Sequence, residues 1–411
     1  MRIGLLSQWF DPEPGPAALP GMLARQLARR GHDVRVLTGL PNYPTGQLAP
    51  GYRLARRRDE IESGVRIRRV ALYPSHDRSA LRRLANYGSF AASALISGTD
   101  ALRGLDALWV GNSPITVALP MWFTRYVHRV PVLLHVLDVW PDSAAAAGFL
   151  GADPVSRRIE RGMAGWCGAM YRSAARVAYV SPSAGDVLAS RGVPPEKLVH
   201  VPVWADETIR TVSGDLRAEL GLRPDQVVLV YAGALGEAQA LDSLVEACAR
   251  VADPRLVCLI AGTGTTEERL RRRAARSGAR NVRFLGQLPR DRMPALMATG
   301  DAHYVSLRPG GMSAYTMPSK VQSILAAGRA LLVAVEGDAA AVAVDSGAGF
   351  TARPGDPEAI ADAIRDICAL GREKLEMLGQ TGREYYDRVF SVTVGAQRVE
   401  RVLHEIVDAR R

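Results

Sequence analysis

Short apolar runs alternate with amphipathic stretches along the chain, which is the pattern of parallel strands joined by helices. The first series predicts a helix over 21–30 and buried strands over 3–6, 34–37, 107–110, 132–136 and 176–180. A second series starts after Pro202-Val203-Trp204 and predicts a helix over 242–251 and strands over 227–231, 256–261 and 331–335. The last helices are predicted from about 373 to 411. The pattern therefore predicts an α/β protein with two doubly wound domains in tandem.

The repeated series also sets the domain limits. We predict a first domain over 1–204, a second domain over 205–390, and a C-terminal helix over 391–411 that packs back toward the first domain. Open α/β sheets bind ligands outside the carboxyl ends of their strands, so the two sheets are expected to face a central cleft. Dehydrogenases, epimerases, nucleotide-sugar transferases and some binding proteins all share this arrangement.

Composition narrows the class of protein. The 411 residues are 47% hydrophobic and 23% charged, which is typical of a soluble globular protein. The opening apolar run is too short for a signal peptide, and no run approaches the length of a membrane-spanning helix. The four cysteines are scattered, mostly within apolar runs: Cys167, Cys248, Cys258 and Cys368. We expect them to be reduced core thiols of a cytoplasmic protein.

Charge is distributed unevenly. Residues 1–200 contain 25 Lys and Arg against 15 Asp and Glu, whereas 201–411 contain 27 of each, so the whole excess of +10 lies in the first half. Much of it falls in one basic run, formed by Arg53, Arg56, Arg57, Arg58, Arg66, Arg68, Arg69, Arg78, Arg82 and Arg83. A solvated face is the commonest explanation of such a run. The alternative is an anionic partner, either acidic lipid or a pyrophosphate-linked acceptor. Nucleic acid is not expected, because the run lacks interleaved aromatic residues.

Two places in the first half carry candidate chemistry. Gly15 and Pro16 lie in a loop between the first strand and its helix, where backbone amides can approach an anion. The loop lacks the G-x-G-x-x-G spacing, so a dinucleotide is not expected, and a plain connecting loop is the alternative. His135 and Asp138 close a buried strand and are predicted to point into the cleft, where Asp138 would orient a sugar hydroxyl or stabilise positive charge. Alternatively, Asp138 caps the following turn.

The strongest local signal in the second half is a glycine-rich stretch over 308–320 that runs into a predicted helix. Lys320, one of three lysines in the chain, falls in the first turn of that helix, where a cation opposes the helix dipole. A bound phosphate reverses this cost, so the stretch predicts a diphosphate site rather than an ordinary surface lysine. No His or Cys cluster has metal-ligand spacing, and the acid pair Asp11 and Glu13 lies in a proline-rich loop, so no metal is expected.

Four motifs in register resemble those of the family-4 glycosyltransferases. They are QWFDPEPG at 8–15, TGLPNYPTG at 38–46, DVWPDS at 138–143 and PSK at 318–320. The resemblance runs essentially end to end and is closest to the amino-sugar transferases of surface-polysaccharide clusters, a WbuB-like or fucosaminyltransferase-like subgroup. It implies a GT-B fold of two Rossmann-like domains. The first would hold the acceptor and the second the nucleotide sugar, without a required metal.

The resemblance also implies roles for individual residues. The Gly15-Pro16 loop would lie near the donor phosphates and the transferred sugar, and Leu285 to Leu288 near the nucleotide base. Gly233 would begin the phosphate loop of the second domain, and Lys320 would contact the diphosphate. The remaining donor-binding candidates are Gln239, Met312, Ser313, Ser319 and Ser323, with Ser313 and its neighbours facing the donor sugar.

The chain departs from the wider family at positions that usually carry charge. Ala234 and Gln239 stand where the family has Arg and Lys, and Leu137 replaces a frequent histidine. Tyr315 and Ser323 stand in place of two glutamates. Because the Arg and Lys are absent, Lys320 and backbone amides are expected to bear most of the charge of the leaving group.

Together these features predict retaining transfer of a sugar from a nucleotide sugar to an acceptor. UDP is the favoured nucleotide and GDP the alternative, and the nucleotide sugar is a substrate, so no cofactor is expected. The expected acceptor is a lipid-linked saccharide, reached by peripheral contact with an anionic membrane through the basic first half. The alternatives are a natural-product transferase with a small alcohol or thiol acceptor, a nucleotide-sugar epimerase, and a non-catalytic binding protein of the same fold.

Overall fold

The structure is a computed structural model and describes residues 1–75, 79–146, 151, 153–210 and 214–410. The chain forms two compact units. The first comprises Met1–Trp204 together with Val392–Arg411, and the second comprises Ala205–Ser391. Each unit contains one largely parallel sheet with helices between its strands, which confirms the prediction of two α/β domains.

The sheet of the first unit has eight described strands in the order β3-β4-β2-β1-β5-β6-β7-β8. They are β1 (Arg2–Leu6), β2 (Asp33–Gly39), β3 (Arg57–Glu62), β4 (Val65–Val70), β5 (Ala107–Gly111), β6 (Val132–Val136), β7 (Arg176–Tyr179) and β8 (Leu198–His200). Neighbouring strands are parallel, except that β3 pairs antiparallel with β4 at the sheet edge. Every residue of β5 and β6 is buried, which is why these strands appear in the sequence as apolar runs.

Seven helices described in the first unit surround this sheet. They are α1 (Leu19–Arg29), α2 (Ala80–Ser97), α3 (Ala118–Tyr126), α4 (Asp142–Ala146), α5 (Pro154–Ser173), α6 (Pro182–Ser190) and the last helix of the chain, α13 (Val392–Asp408). The buried residues of α13 recur at the spacing of one helix face. They share one core with the buried residues of α1 and β1, and this burial explains why α13 belongs to the first unit.

The second unit has six described parallel strands in the order β11-β10-β9-β12-β13-β14. The strands are β9 (Val227–Ala232), β10 (Leu256–Ala261), β11 (Val282–Gly286), β12 (Ala302–Ser306), β13 (Ala330–Ala334) and β14 (Gly349–Thr351). The helices are α7 (Asp242–Arg250), α8 (Glu267–Ser277), α9 (Met293–Thr299), α10 (Ser319–Ala326), α11 (Asp338–Asp345) and α12 (Pro357–Val389). Helix α12 begins earlier than the predicted 373 and is interrupted at Gly371, whose φ is +74°. Within the described part of the chain, no helix is both long and apolar enough to span a bilayer.

The hairpin of β3 and β4 carries half of the predicted basic run, and the structure pairs much of its charge within the first unit. The ion pairs of this hairpin include Arg58–Glu60, Arg66–Asp33, Arg68–Asp59 and Arg69–Glu60. Arg69 is fully buried. Arg78 lies outside the described residues. Because these guanidinium groups already have carboxylate partners, the hairpin offers an external anion less charge than the sequence suggests.

Candidate active site

The loops that follow β9 and β10 touch at glycines. Gly233 has a φ of +141°, and a Cβ on it would lie 2.6 Å from Cε of Lys320. Gly262 has a φ of +135°, and a Cβ there would lie 1.8 Å from the carbonyl oxygen of Gly233. Only glycine fits at these two places without strain or collision. The sequence therefore places a glycine, which has no side chain, directly beside Lys320 at the carboxyl edge of this sheet.

Lys320 lies in the first turn of α10, with its ammonium group directed at Tyr231 at the end of β9. Its Nζ donates to the Tyr231 hydroxyl at 2.8 Å and lies 4.2 Å from the ring centroid, a cation–π contact. The Tyr231 hydroxyl in turn donates to the Ala234 carbonyl at 2.7 Å. Burial lowers the pKa of Lys320 to about 8. Among the described residues no carboxylate pairs with Lys320, so this cation lacks a protein counter-ion at a helix N-terminus.

The turn that contains Met312 and Ser313 is held by Glu336, which follows β13. The Ser313 hydroxyl lies 3.3 Å from Oε2 of Glu336 and 3.1 Å from the Gly310 carbonyl, and the Gly310 amide donates to the same carboxylate oxygen at 3.3 Å. Ser313 is buried and Met312 is half-buried. The sequence reasoning missed Glu336, although its position just after a buried strand was an available signal.

Several other donor-binding candidates bond to the backbone around them. The Gly236 amide donates to Oε1 of Gln239 at 3.2 Å, and the Ser323 hydroxyl donates to the Ser319 carbonyl at 3.0 Å. These bonds shape the loop after β9 and the start of α10. Leu285 and Leu288 flank the point where the Gly286 carbonyl accepts from the Gly262 amide at 2.7 Å, and both are partly buried against the apolar cluster that includes Val228, Val230 and Leu259. The structure thus brings Gly233 and Lys320 together and leaves the two leucines near the end of β11.

In the first unit, Asp138 is positioned by the two residues that follow β5. The Ser113 hydroxyl donates to the Asp138 carboxylate, and Nδ2 of Asn112 donates to the Asp138 carbonyl at 2.7 Å. Oδ1 of Asn112 accepts from the Leu137 amide at 2.8 Å. Asp138 is exposed, yet surrounding protein reduces its hydration and raises its pKa, an effect that the Ser113 bond opposes. In the part of the chain that the structure describes, the carboxylate of Asp138 does not cap the following turn.

The prediction that His135 points into a ligand-binding cleft is wrong. His135 is fully buried, its Nε2 lies 2.9 Å from the Val201 carbonyl, and the indole N–H of Trp109 donates to Nδ1 at 3.3 Å. Burial lowers the pKa of His135 to about 4, an effect that the Val201 bond opposes. Both ring nitrogens of this neutral imidazole are thus used inside the sheet core, and neither faces a substrate.

The Gly15-Pro16 loop is held on its buried side by Glu13. The carboxylate of Glu13 is buried and accepts backbone N–H bonds from Phe10 at 3.0 Å and from Asn42 and Tyr43 at 2.8 Å each. A Cβ on Gly15, whose φ is +64°, would meet no atom within 4 Å, and Pro16 is exposed. The open side of this loop therefore lies at Gly15 and Pro16, while Glu13 joins the ends of β1 and β2.

Two family models match successive parts of the chain. Residues 15–204 match the glycosyl transferase 4-like domain, and residues 213–385 match the glycosyl transferases group 1. The chain belongs to the family-4 glycosyltransferases. Its enzymatic class is therefore glycosyl transfer, as the sequence predicts.

Relatives and solved structures agree with this assignment. The glycosyltransferase is 29% identical over 82% of its length to the putative colanic acid biosynthesis glycosyl transferase WcaI of Escherichia coli, of which the match covers 84%. Among solved structures, Anabaena HepE in complex with UDP has a TM-score of 0.68 at 17% identity, covering 98% of this chain and 100% of that one. Sucrose-phosphate synthase from Thermosynechococcus elongatus has a TM-score of 0.72 at 18% identity, covering 99% of both chains. The predicted GT-B fold is confirmed.

One group of the glycosyltransferase's described residues has ligand atoms close enough to hold a metal ion. Atoms of His32, Glu400 and His404 all lie within 4.8 Å of one another. The sequence reasoning missed the spacing of Glu400 and His404, one helical turn apart on α13. The Glu400 carboxylate already bonds His32 at 2.7 Å and Arg30 at 2.6 Å, so these residues link α13 to the end of α1. The absence of a metal from the reaction stays a prediction.

Proposed function

We propose that this glycosyltransferase uses a nucleoside-diphosphate sugar, preferentially a UDP sugar, and retains the configuration of the anomeric carbon. One observation carries the proposal: the half-buried ammonium of Lys320 has no carboxylate partner among the described residues and adjoins the glycine loop at Gly233. A diphosphate supplies the missing negative charge. The amides at the start of α10 add the positive end of a helix dipole.

The proposed reaction breaks the bond between the anomeric carbon and the phosphate oxygen and forms a bond from that carbon to an acceptor oxygen. The leaving diphosphate gains negative charge, which Lys320 and the amides at the start of α10 stabilise more strongly in the transition state than in the ground state. The departing phosphate oxygen accepts the acceptor's proton on the same face of the sugar, so a side-chain base is not required. Asp138 binds an acceptor hydroxyl through the carboxylate oxygens left beside its Ser113 bond. His135 has no direct role.

Two similar proteins support this choice of donor and acceptor classes. HepE was solved with UDP, which favours uridine as the base, and WcaI is named for colanic acid biosynthesis, which favours a saccharide acceptor in polysaccharide assembly. We propose a lipid-linked saccharide acceptor, with a small alcohol or thiol as the alternative. Membership of the fucosaminyltransferase-like subgroup stays a prediction. We also propose that the reaction needs no metal, so EDTA should leave turnover unchanged.

A thermal-shift panel of UDP, GDP and dTDP and their sugars tests the donor proposal. A ligand at 100 times its Kd adds about 2.7 kcal/mol to the stability of the folded protein, so UDP should raise the melting temperature of the wild type. The Lys320→Ala variant should lose most of that rise. Lys374→Ala is the matched control, because Lys374 is an exposed lysine on α12. If none of the nucleotides stabilises the wild type, the donor proposal fails.

We further propose a cytoplasmic location with peripheral contact at an anionic membrane. Four buried free cysteines fit a reducing compartment. The first half of α5 is largely exposed and combines Val155 and Ile159 with Arg157, Arg158 and Arg161. Such a helix surface favours acidic headgroups. Sedimentation with phosphatidylglycerol vesicles at low and high salt tests this: binding lost at high salt supports the proposal, and absence of binding favours a soluble acceptor.

A further inference from the structure

Three aromatic side chains converge at the carboxyl edge of the first sheet. Trp9 follows β1, Tyr43 follows β2 and Tyr87 lies on α2. The Trp9 ring centroid is 6.4 Å from that of Tyr43 at an interplanar angle of 60°, and 6.2 Å from that of Tyr87 at 88°. These are edge-to-face contacts, and all three side chains are half-buried, so part of each ring remains accessible. We call Trp9, Tyr43 and Tyr87 the aromatic platform.

The aromatic platform lies where an open sheet binds ligands. The strand order reverses between β1 and β5, and ligands of open α/β sheets bind outside the carboxyl ends at such a point. Ser113 and Asp138 follow β5 and β6 on the same edge. Charged groups adjoin the platform: burial raises the pKa of the Tyr87 hydroxyl, the Arg83 guanidinium opposes this rise, and the Asp138 carboxylate adds to it. Aromatic surface, a cation and a carboxylate thus meet in one place.

Two buried networks hold the platform in place. Gln8, next to Trp9, donates to Oδ1 of Asn86 at 2.6 Å, and Asn86 donates to Oδ1 of Asn42 at 3.2 Å. All three amides are buried, so this chain of bonds ties the ends of β1 and β2 to α2. The Glu13 carboxylate fixes the backbone of Tyr43 as well. Because the elements that carry the rings are fixed, a ligand need not order them on binding.

The chemistry of this site matches a sugar ring. A pyranose presents a face of C–H groups and a rim of hydroxyls. The C–H face suits aromatic rings, and the hydroxyl rim suits a carboxylate acceptor and a guanidinium donor placed at their margin. A simple alkyl alcohol or thiol would use the rings but leave Asp138 and Arg83 without ligand hydroxyls to bond.

We propose that the aromatic platform, with Asp138 and Arg83, is the subsite for a sugar ring of the acceptor, which makes the acceptor a saccharide. This inference rests on the proposed function, because it assigns the acceptor of that same reaction. It adds Trp9, Tyr43 and Tyr87 as specificity-determining residues. None of the three needs to take part in bond breaking.

The test is saturation-transfer NMR with the methyl glycosides of glucose, galactose, mannose and N-acetylglucosamine, with cyclohexanemethanol as the non-sugar probe. At least one glycoside should bind the wild type, with transfer strongest to the ring protons of one C–H face, and cyclohexanemethanol should bind more weakly. Trp9→Leu and Tyr87→Leu should each weaken that binding by about fivefold to tenfold, as for the loss of an aromatic anchor. Trp9→Phe should restore most of it. Tyr126→Leu is the matched control, because Tyr126 is a tyrosine of α3 with 63% exposure.

The outcomes separate this inference from the donor proposal. A wild type that is stabilised by UDP but binds none of the glycosides overturns the inference and leaves the donor proposal standing. Unchanged glycoside binding in Trp9→Leu and Tyr87→Leu also overturns it. So does displacement of the glycoside by UDP together with weaker UDP binding in Trp9→Leu, because the platform would then hold the nucleotide base. Near-ultraviolet circular dichroism verifies that the first unit of each variant is folded, and UDP stabilisation verifies the same for the second unit.

Discussion

The carboxyl edges of the two sheets of this glycosyltransferase are built from different chemical groups. In the first unit the edge is built from side chains: Asn112 and Ser113 hold Asp138, while Glu13 fixes the loops that carry the aromatic platform. In the second unit the edge is built mainly from backbone, with glycine loops in contact and with Lys320, which has no carboxylate partner in the described part of the chain. Two domains of one architecture thus provide two kinds of binding surface.

The difference follows from what each surface would bind. A diphosphate is the same in every nucleotide sugar, so amides, a helix dipole and one cation suffice to hold it. A neutral, hydroxylated acceptor offers little charge, and its recognition depends on shape and on directional hydrogen bonds from fixed side chains. This contrast explains why the second unit can lack the family's usual Arg and Lys, at Ala234 and Gln239, provided that Lys320 remains.

The largest expected effect comes from removing Lys320. Lys320→Ala should raise the barrier to sugar transfer by about 2–4 kcal/mol, because one preorganised charge on the leaving group is lost. The measurement is kcat/KM for the best donor, with Lys374→Ala as the control of equal chemistry. Methyl glycoside binding should not change in Lys320→Ala, since Lys320 belongs to the other unit. Wild-type turnover in Lys320→Ala would remove this residue from the mechanism.

A smaller effect is expected from removing the carboxylate of Glu13, which holds the loops at the carboxyl edge of the first sheet. Glu13→Ala leaves three backbone N–H groups unpaired, two of them in buried bonds, and should lower the free energy of unfolding of this unit by about 2 kcal/mol. All six tryptophans lie within residues 1–204, so tryptophan fluorescence during urea unfolding reports on the first unit. UDP stabilisation should persist. An unchanged unfolding midpoint would show that solvent replaces these bonds.

Glu13 also makes the stability of the first unit depend on pH, in a direction that its pKa fixes. Burial raises the pKa of Glu13 to about 7, against three backbone bonds and Arg69, which lower it. Since the folded pKa exceeds the unfolded one, Glu13 contributes stability at low pH that is lost as the pH rises through about 7. Glu13→Gln should therefore flatten the wild-type fall in stability between pH 5 and 7, measured by the same fluorescence. A wild type whose stability falls no more steeply over this interval than that of Glu13→Gln would contradict this assignment.

The sequence predicts the strands better than the roles of polar residues. β5 and β6 are predicted because both faces are covered and the strands are apolar throughout, whereas the exposed edge strand β3 has no such signal. Lys320 is singled out because a lysine beside a glycine-rich stretch is rare in this chain, and its role in donor binding stays a prediction. His135 is misplaced because a strand sequence looks the same whether a polar residue faces the core or a ligand. The sequence does not reveal the roles of Glu13 and Glu336, because both carboxylates bond to backbone amides. The identity of a residue does not show where its backbone amide donates.

A fourth effect tests the contrast between the units through the pH dependence of UDP binding. Burial lowers the pKa of Lys320 to about 8, so free protein loses the cation as the pH rises through that value. If only the charged form binds the diphosphate, UDP affinity should fall about tenfold from pH 7 to pH 9, or about 1.4 kcal/mol. Calorimetric titration at these two pH values measures this fall. Lys320→Arg stays charged, so its UDP affinity should be flat, and a pH-independent wild type would contradict the role of Lys320.

The smallest effect concerns α13, which follows the second unit in sequence but belongs to the first. Burial alone would raise the pKa of Glu400, but bonds from His32 and Arg30 outweigh it and hold the pKa below its ordinary value. Glu400 therefore contributes stability near neutral pH that is lost as the pH falls through its folded pKa. Glu400→Gln should lower the free energy of unfolding of the first unit by about 0.5–1 kcal/mol, as for other partly exposed ion pairs.

Tryptophan fluorescence again measures the effect, and Glu405→Gln is the control, because Glu405 is an exposed residue of the same helix. The difference between Glu400→Gln and the wild type should shrink at acid pH, where Glu400 is protonated in both states of the wild type. UDP stabilisation, which reports on the second unit, should be equal in all three proteins. An equal loss of stability in Glu405→Gln would mean that the general charge of α13, rather than the bonds of Glu400, fastens this helix to the first sheet.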